Sequence, residues 1–591
     1  MTVSKKRSRK QPITPKNIVK ILLILIPIVL ISYVIGSVYA YVWPMKNYFI
    51  DGIYVDSEDF MEADPEYIAS ATENWSKYLY TYCFPQNMTG DGWDYYPYSE
   101  AHFVRDPRSF GLWNESEFLA NCDEFNPEDP FNIISYYHGT GHAAAYAGQT
   151  LVGEALKYAL SYREGDEEQV SKMSQKILKV VKAFSLLSEL HEDGRMARYV
   201  VPDTPKARSY FQSFLYQEKY DDTHIIYNVS YVGPNEKEYV FWVESGTSVD
   251  LYNGVLTGLG IAYQFVNNQT IRTLIRETVD RMLEFFVNTG WRIIDYDGKT
   301  HLMGAEALNQ QPIMDTSYCI MFLRVGKTVH PERWDELYDK YVYNRMHLRK
   351  VGKQTQVGFH DVMIWGYQYF NIDLMMTLAF TLCVLEDNPQ LRRLYQDYFL
   401  KPIYHLVKYH RNAWFDTAFA LGMADLDYTN YITSIHPSDS VRLSQEELQF
   451  LENDVADCLM RCALTKKTGR RFTNPNGFDS YNNYAYLSPI EDAPYPNAEI
   501  FDWESLIDEN NPIQSLFKEI YNPEMGWTHP NGIWDTPIPA DWRRTTTFMW
   551  EYSPFDTIIP NYSGVDGAVT GDMTLPYWIG RFLDFETLSL V

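Results

Sequence analysis

FWVESGTSVDLYNGVLTGLGIAYQFV, residues 241–266, runs straight into NNQTIRTLIRETVDRMLEFFV, residues 267–287, and the reading of this pair decides the fold. The first segment is almost wholly apolar and small, with Gly254, Gly258, Gly260 and Ala262 along it. The second places Ile271, Leu274, Ile275, Val279, Met282, Leu283 and Phe286 at helical spacing, with Arg, Glu and Asp between them. A helix apolar on every side must be buried, and a two-faced one covers it from outside, so residues 241–287 predict a hairpin of an inner and an outer helix. Asp250 stands where the inner helix opens, a place that suits a carboxylate both as cap and against the dipole.

The unit recurs. NIDLMMTLAFTLCVLEDNPQLRRLYQDYFLKPIYHLV, residues 371–407, again gives an Asp (Asp373), an apolar helix, a polar turn and an amphipathic helix. Asn268-Gln-Thr-Ile-Arg-Thr-Leu aligns with Asn388-Pro-Gln-Leu-Arg-Arg-Leu at an offset of 120. Residues 132–163 followed by SKMSQKILKVVKAFSLLSEL form a third hairpin of this kind, and segments 314–325, 332–348, 412–426 and 444–464 complete the helical count. A hairpin repeat is the organising fact of the chain. Asp-Gly turns just past two outer helices, at Asp193-Gly194 and Asp297-Gly298, predict short two-stranded ribbons.

A net charge of −26 excludes nucleic acid as a partner, because phosphate binding needs a basic face. An aromatic share of 16% suits ring faces stacked on pyranoses, and it equally suits bulky packing. Residues 1–20 carry seven Lys or Arg and no acid, and residues 21–43 then run without a charge. At about 1.5 Å per residue the uncharged run spans roughly 34 Å, enough for a bilayer. We read residues 1–20 as a cytoplasmic basic tail and 21–43 as a transmembrane signal anchor, with the bulk of the chain extracellular or luminal. A cleaved secretory signal is the alternative. Sequons at Asn74, Asn87, Asn114, Asn228, Asn268 and Asn561 all lie beyond the span. Cys83 and Cys122 are the best candidate disulfide, while Cys319 and Cys383 look like core residues.

Residues 44–129 read as stalk and N-terminal extension, with a helix from Asp64. Residues 130–465 hold the hairpins. After these, residues 466–591 are rich in Pro, Asn, Tyr and Trp without a sustained period, as long ordered loops packing on the helical body would be.

Serial hairpins of a buried small-residue helix and an amphipathic outer one resemble the six-hairpin glycosidase-like, or (α/α)-toroid, superfamily over residues 130–465. The resemblance is one of architecture, and no motif carries over any family's catalytic residues. It implies a mainly α fold, an (α/α)-barrel with a cleft at one mouth, and carbohydrate chemistry ranging from glycoside hydrolysis to uronate cleavage or epimerisation.

Glycoside cleavage needs two carboxyl groups flanking the bond. Glu244 and Asp250 bracket the opening of the inner helix, and Asp315, Asp373 and Asp416 recur at comparable helix starts. Glu244, Asp250, Asp315 and Asp416 are the catalytic candidates, against the reading that each Asp merely caps its helix. His138-Gly-Thr-Gly-His142 puts two His four apart, on one face if the segment is helical. A metalloprotease would carry Glu after the first His, where this chain has Gly139, and no third ligand stands out. Neither metal nor cofactor is expected. His138, His142, Trp242, Tyr252, Asp373, Trp414, Arg543 and Trp550 are candidate substrate contacts, with core packing or loop locking the competing role of the aromatics and of Arg543. A carbohydrate-active hydrolase, with uronate lyase or epimerase as a sub-case, is the leading expectation. A non-catalytic toroid that binds glycan or protein is its rival.

Overall fold

The computed structural model describes residues 23, 25–37, 59–91, 98–103, 130–138, 141–215, 225–295, 298, 314–343, 369–426, 440–464 and 571–590, with isolated positions between 510 and 554. The fold is mainly helical. Helix α1, Pro65–Tyr78, starts on the Asp64 carboxylate, which accepts from Tyr67 N, and has Pro in its first turn. Two short strands, β1 (Glu100–Phe103) and β2 (Ile134–His138), pair antiparallel before α2 (Ala143–Glu164) and α3 (Glu167–Glu189). The strands β3 (Tyr199–Pro202), β4 (Ile226–Val232) and β5 (Glu238–Glu244) form an antiparallel sheet in the order β3-β5-β4. Then come α4 (Val249–Phe265), α5 (Gln269–Asn288), α6 (Met314–Val329), α7 (Pro331–Val342) and α8 (Tyr369–Leu385). Helix α9 is built from Pro389–Tyr395, a π turn Gln396–Leu400 and Lys401–Val407. Helices α10 (Ala413–Gly422), α11 (Gln445–Leu464) and α12 (Gly571–Phe582) complete the set.

The predicted repeat is present to the residue. Helices α4 and α8 start 120 residues apart and end 120 residues apart, and so do the starts of α5 and α9. Asn268 and Asn388 both cap the outer helix, accepting from Ile271 N and from Gln390 N and Leu391 N.

Four expectations are corrected. The inner helix opens at Val249, beside Asp250, but the residues before it are a strand: Glu238–Glu244 is rich in aromatic and β-branched residues and pairs with β4. Gly246, at φ 77°, ends that strand. The ribbon after Asp193-Gly194 does not fold on itself, since Tyr199–Pro202 pairs with β5. Of the second ribbon, only 291–295 and Gly298 are among the described residues. Residues 134–138 are a strand and not the start of the helix, which opens at Ala143. Gly571–Phe582, assigned above to a loop-rich region, is a helix that packs on both α2 and α10.

Small residues dictate the central contact. A Cβ on Gly148 would collide with the Gly254 carbonyl, and one on Gly258 with the Gly148 carbonyl, so α2 and α4 meet backbone to backbone. From there the inner helices follow one another: α4 packs on α6 and α8, α6 on α8, α8 on α10, α10 on α12, and α12 on α2. On the outside, α3 covers α2, α5 covers α4 and α6, α7 covers α6, α9 covers α8, α11 covers α10, and α1 lies on α12 and α11. Cys319 and Cys383 are fully buried, and Cys83 is buried as well. Cys122 lies outside the described residues.

Inner helices turn into outer ones through 165–166, 266–268, His330 and 386–388. At the opposite end, where an outer helix leads to the next inner one, 408–412 is short while 190–248 is long and carries the three-stranded sheet. Long connections on a rigid body are where sites are built. At the N-terminus, residues 25–37 are helical, and Leu25, Ile28, Leu30, Ile31 and Ile35 are exposed. Among the described residues no helix is long and apolar enough to cross a membrane.

Candidate functional site

A narrow cleft, with room for about one water molecule, lies at the long-loop end, lined among others by His191, Arg195, Tyr227, Glu244, Tyr252 and Asp295. Glu244 is the last residue of β5, and Tyr227 stands on the edge strand β4. His191 and Arg195 flank the tight turn after α3, where Gly194 adopts φ 80° and packs against the Arg281 backbone. Asp295 leaves the end of the segment that follows α5.

Tyr227 Oη and His191 Nε2 share a hydrogen bond of 2.7 Å. Burial pushes the His191 imidazole down to about 4, and the nearby Arg195 charge works in the same direction. The ring is therefore neutral near neutral pH and able to take a proton. Arg195 grips both oxygens of Asp193 and donates Nη1–H to the Asp295 carbonyl. Burial raises the Asp193 carboxyl, but the Arg195 hydrogen bonds and charge outweigh it, and the group stays below the usual carboxylate range. Glu244 lies 3.6 Å from Arg198 Nε, both side chains buried. Arg198 also donates Nη1–H to the Gly246 carbonyl at 2.7 Å, and the Asp295 carboxylate accepts from Gly246 N at 3.1 Å. A Cβ on Gly141 would stand 3.3 Å from Arg198 Nη2. The glycine of the His-Gly-Thr-Gly-His motif thus leaves room for a guanidinium.

Tyr252 lines the cleft but is not a stacking platform. Its hydroxyl accepts from Met196 N at 2.9 Å, its ring meets Phe286 edge-on, and Thr247 Oγ1–H binds the Met196 carbonyl. It fastens the 195–197 loop. Trp242 is half-buried on β5, with the Arg208 guanidinium 5.9 Å from its ring.

The other candidates are dispersed. Asp250 sits half-buried in the first turn of α4, where Ser248 is the cap residue and its hydroxyl lies 3.3 Å from Asp250 Oδ2. Asp373 is sealed among the inner helices, its two oxygens accepting from Trp414 Nε1 at 2.6 Å and Gln149 Nε2 at 2.8 Å. Burial pushes this carboxyl up to about 7 against the three hydrogen bonds it accepts. Trp414 is 1% exposed and spends its N–H on Asp373, so it is a core ring. Asp416 is buried and takes the Tyr404 hydroxyl. Capping does not explain Asp373 or Asp416 either: the cap of α10 is Asn412. His142 precedes α2 as its cap residue and is exposed, while His138 ends β2 opposite Glu100, so the two His do not share a helix face. Gly141 lies between strand and helix. Asp315 lies in the first turn of α6 with its side chain outside the described residues, as are Arg543 and Trp550 altogether.

Of the named candidates the cleft gathers Glu244 and Tyr252. It adds His191, Arg195, Tyr227 and Asp295. Their signal was the pair of Asp-Gly turns, whose flanks hold His191, Arg195 and Asp295, and the alternation IIYNVSYV of β4. No family model matches the chain, and neither a curated protein nor a solved structure does.

Proposed function

We propose that the chain is a membrane-anchored, carbohydrate-active enzyme whose six hairpins close into an (α/α)-toroid with the cleft at its mouth. The cyclic run of inner-helix contacts from α2 to α12 and back supports the closure, with α12 and α1 as the sixth pair. The exposed apolar helix at 25–37 behind a basic tail supports the anchor.

The single observation that carries the chemistry is the His191–Tyr227 hydrogen bond inside the cleft. Hydrolysis with paired carboxyls needs one of them to deliver a proton. Glu244 and Asp295 are the pair in this cleft, and each is already engaged, Glu244 in an ion pair with Arg198 and Asp295 as an acceptor from Gly246 N. A neutral imidazole bonded to a phenol supplies what they lack. In the uronate reading, His191 takes the proton from the carbon beside the sugar carboxylate. Tyr227 returns a proton to the leaving oxygen on the same side, and Arg195 supplies positive charge. Hydrolysis is the second reading, favoured by the presence of both carboxylates in one cleft.

The test is to incubate the full chain with neutral and uronate-containing glycans. An unsaturated uronate product marks a lyase, deuterium uptake from heavy water without cleavage marks an epimerase, and new reducing ends alone mark a hydrolase. His191→Ala and Tyr227→Phe should each lower turnover by about 10²–10⁴-fold. Glycan binding without turnover would leave the non-catalytic rival in place.

A further inference from the structure

A second cluster of ionisable groups lies away from the cleft, where α9, α10 and α11 meet. Asp416 on α10 faces Asp454 on α11. Tyr404 on α9 donates its hydroxyl to Asp416 Oδ1 at 2.7 Å. Arg411, just before α10 and at φ 54°, donates to Asp454 and to Asp457. Arg461 holds Asp457 from one turn further along α11. All three carboxylates are 0–1% exposed. Tyr409 stands near Tyr404, and His410 is buried next to Arg411. Of the other helices against α10, α8 brings Asp373, bonded to Trp414, and α12 carries the buried Asp572.

Asp416 Oδ2 and Asp454 Oδ2 are both buried and meet no donor among the described residues. Two facing carboxylate oxygens with no donor between them repel unless one carries a proton. The charge count agrees: three carboxyls are matched by two guanidiniums. Asp454 is the one tied to Arg411, so the proton belongs to Asp416, whose carboxyl burial and the Asp454 charge together push well above the ordinary range.

The cluster also holds a piece of chain from far away. Asp457 Oδ1 accepts from Met61 N at 2.6 Å, Arg461 Nη2 donates to the Asp59 carbonyl at 3.2 Å, and Arg411 lies over the Phe60 ring at 4.1 Å. We propose that the Asp416–Asp454 carboxyl pair is a one-proton latch. At acidic pH it fastens segment 59–61, and through it the N-terminal part of the chain, to the helical body, and it loosens as pH rises. Loss of the proton from Asp416 to solvent leaves three negative charges on two guanidiniums. Asp454 is then repelled, Arg411 is drawn towards the unbalanced pair, and the ring contact with Phe60 and the bonds around Asp457 weaken together. This inference is independent of the cleft and of any substrate.

The sign follows from proton linkage. A buried carboxyl whose proton affinity is raised stays protonated in the latched state after the solvated, opened state has ionised. The latch is therefore complete below the ordinary aspartate range and weakens above it until the buried group itself ionises. The test is hydrogen exchange at the Met61 amide in the full chain, normalised at each pH to its intrinsic rate. Protection in the wild type should fall about tenfold per pH unit within that window, as release of one proton requires. Asp416→Asn, which keeps an acceptor for Tyr404 and a donor for Asp454, should hold protection flat and high. Asp454→Asn should lose protection at every pH, because Arg411 loses one of its two carboxylates. Tyr404→Phe removes a donor to the ionised form and should leave the onset of the fall in place but carry it on to a higher pH before it levels, a readout that survives if Asp416→Asn does not fold. Flat protection in the wild type, Asp416→Asn behaving like Asp454→Asn, or a Tyr404→Phe fall that levels at the wild-type pH or below it would overturn the latch.

Discussion

Two regions of this molecule use the same side chains for opposite ends. The cleft holds Glu244, Asp295, Arg195, Tyr227 and His191 around a narrow, partly open space, and the sealed cluster holds Asp416, Asp454, Arg411 and Tyr404 in the core. In the sealed cluster the guanidinium and carboxylates are spent on each other, and breaking one contact strands a buried charge. In the cleft, Tyr227 and His191 are half-buried and hydrogen-bonded to each other. An acid beside an aromatic residue in sequence has the same appearance in both settings, and what separates them is whether the chain around it closes.

The largest effect should come from the sealed side. Arg411→Ala leaves Asp454 and Asp457 without their shared partner and should cost about 3–5 kcal/mol of stability, read from denaturant unfolding. His191→Ala, by contrast, should remove turnover while shifting the unfolding midpoint little. If His191→Ala unfolds the chain as Arg411→Ala does, the two regions do not differ in kind.

The next effect sharpens the contrast at Asp373, which is sealed but has no cationic partner among its described contacts. Its carboxyl is pushed up from 3.8 to about 7. A raised carboxyl contributes stability that is complete below its ordinary value and declines as pH rises to the folded value. The wild type should therefore lose stability between those two pH values relative to Asp373→Asn, whose stability should be flatter there. Unfolding midpoints at several pH values, compared between the two chains, check this.

Between these lies a purely steric case. Gly148→Ala should destabilise by more than the ~1 kcal/mol that a Gly-to-Ala change in a helix normally gains, because the new methyl meets the Gly254 carbonyl. The smallest effect should be at Asp250. It is half-buried in a first turn capped by Ser248, and Asp250→Asn should change stability by less than about 1 kcal/mol, the scale of a charge at a helix N-terminus.

How far the sequence could be read depended on where the determining contacts lie. The α4–α5 and α8–α9 hairpins were legible because their burial is written in local periodicity and in the Asn268 and Asn388 caps. The strand at Phe241 was not, because its apolar run looks the same as a buried helix until its partner Val229 is known. Helix α12 was hidden for a similar reason: Pro576 and a dozen residues in a Pro- and Trp-rich tail carry no period, and only packing on α2 and α10 reveals it. The site suffered most. Glu244 was found by its place before α4, but its ion-pair partner Arg198 and the other cleft residues Asp295, His191 and Tyr227 come from three other segments. Asp373 and Asp416 were read as acids at helix starts around a cleft mouth, and the sequence has no way to say that Trp414, Gln149 and Tyr404 would seal them in the core.

The most direct measurement is the acid limb of the kcat/KM profile on a uronate-containing glycan, taken on the full chain. With His191 held down to about 4 and acting as the proton acceptor, activity should persist as pH falls past the ordinary histidine range and decline only near that value. His191→Ala should abolish the activity while unfolding remains close to wild type. An acid limb at the ordinary histidine value, or undiminished turnover in His191→Ala, would contradict the assignment of the cleft.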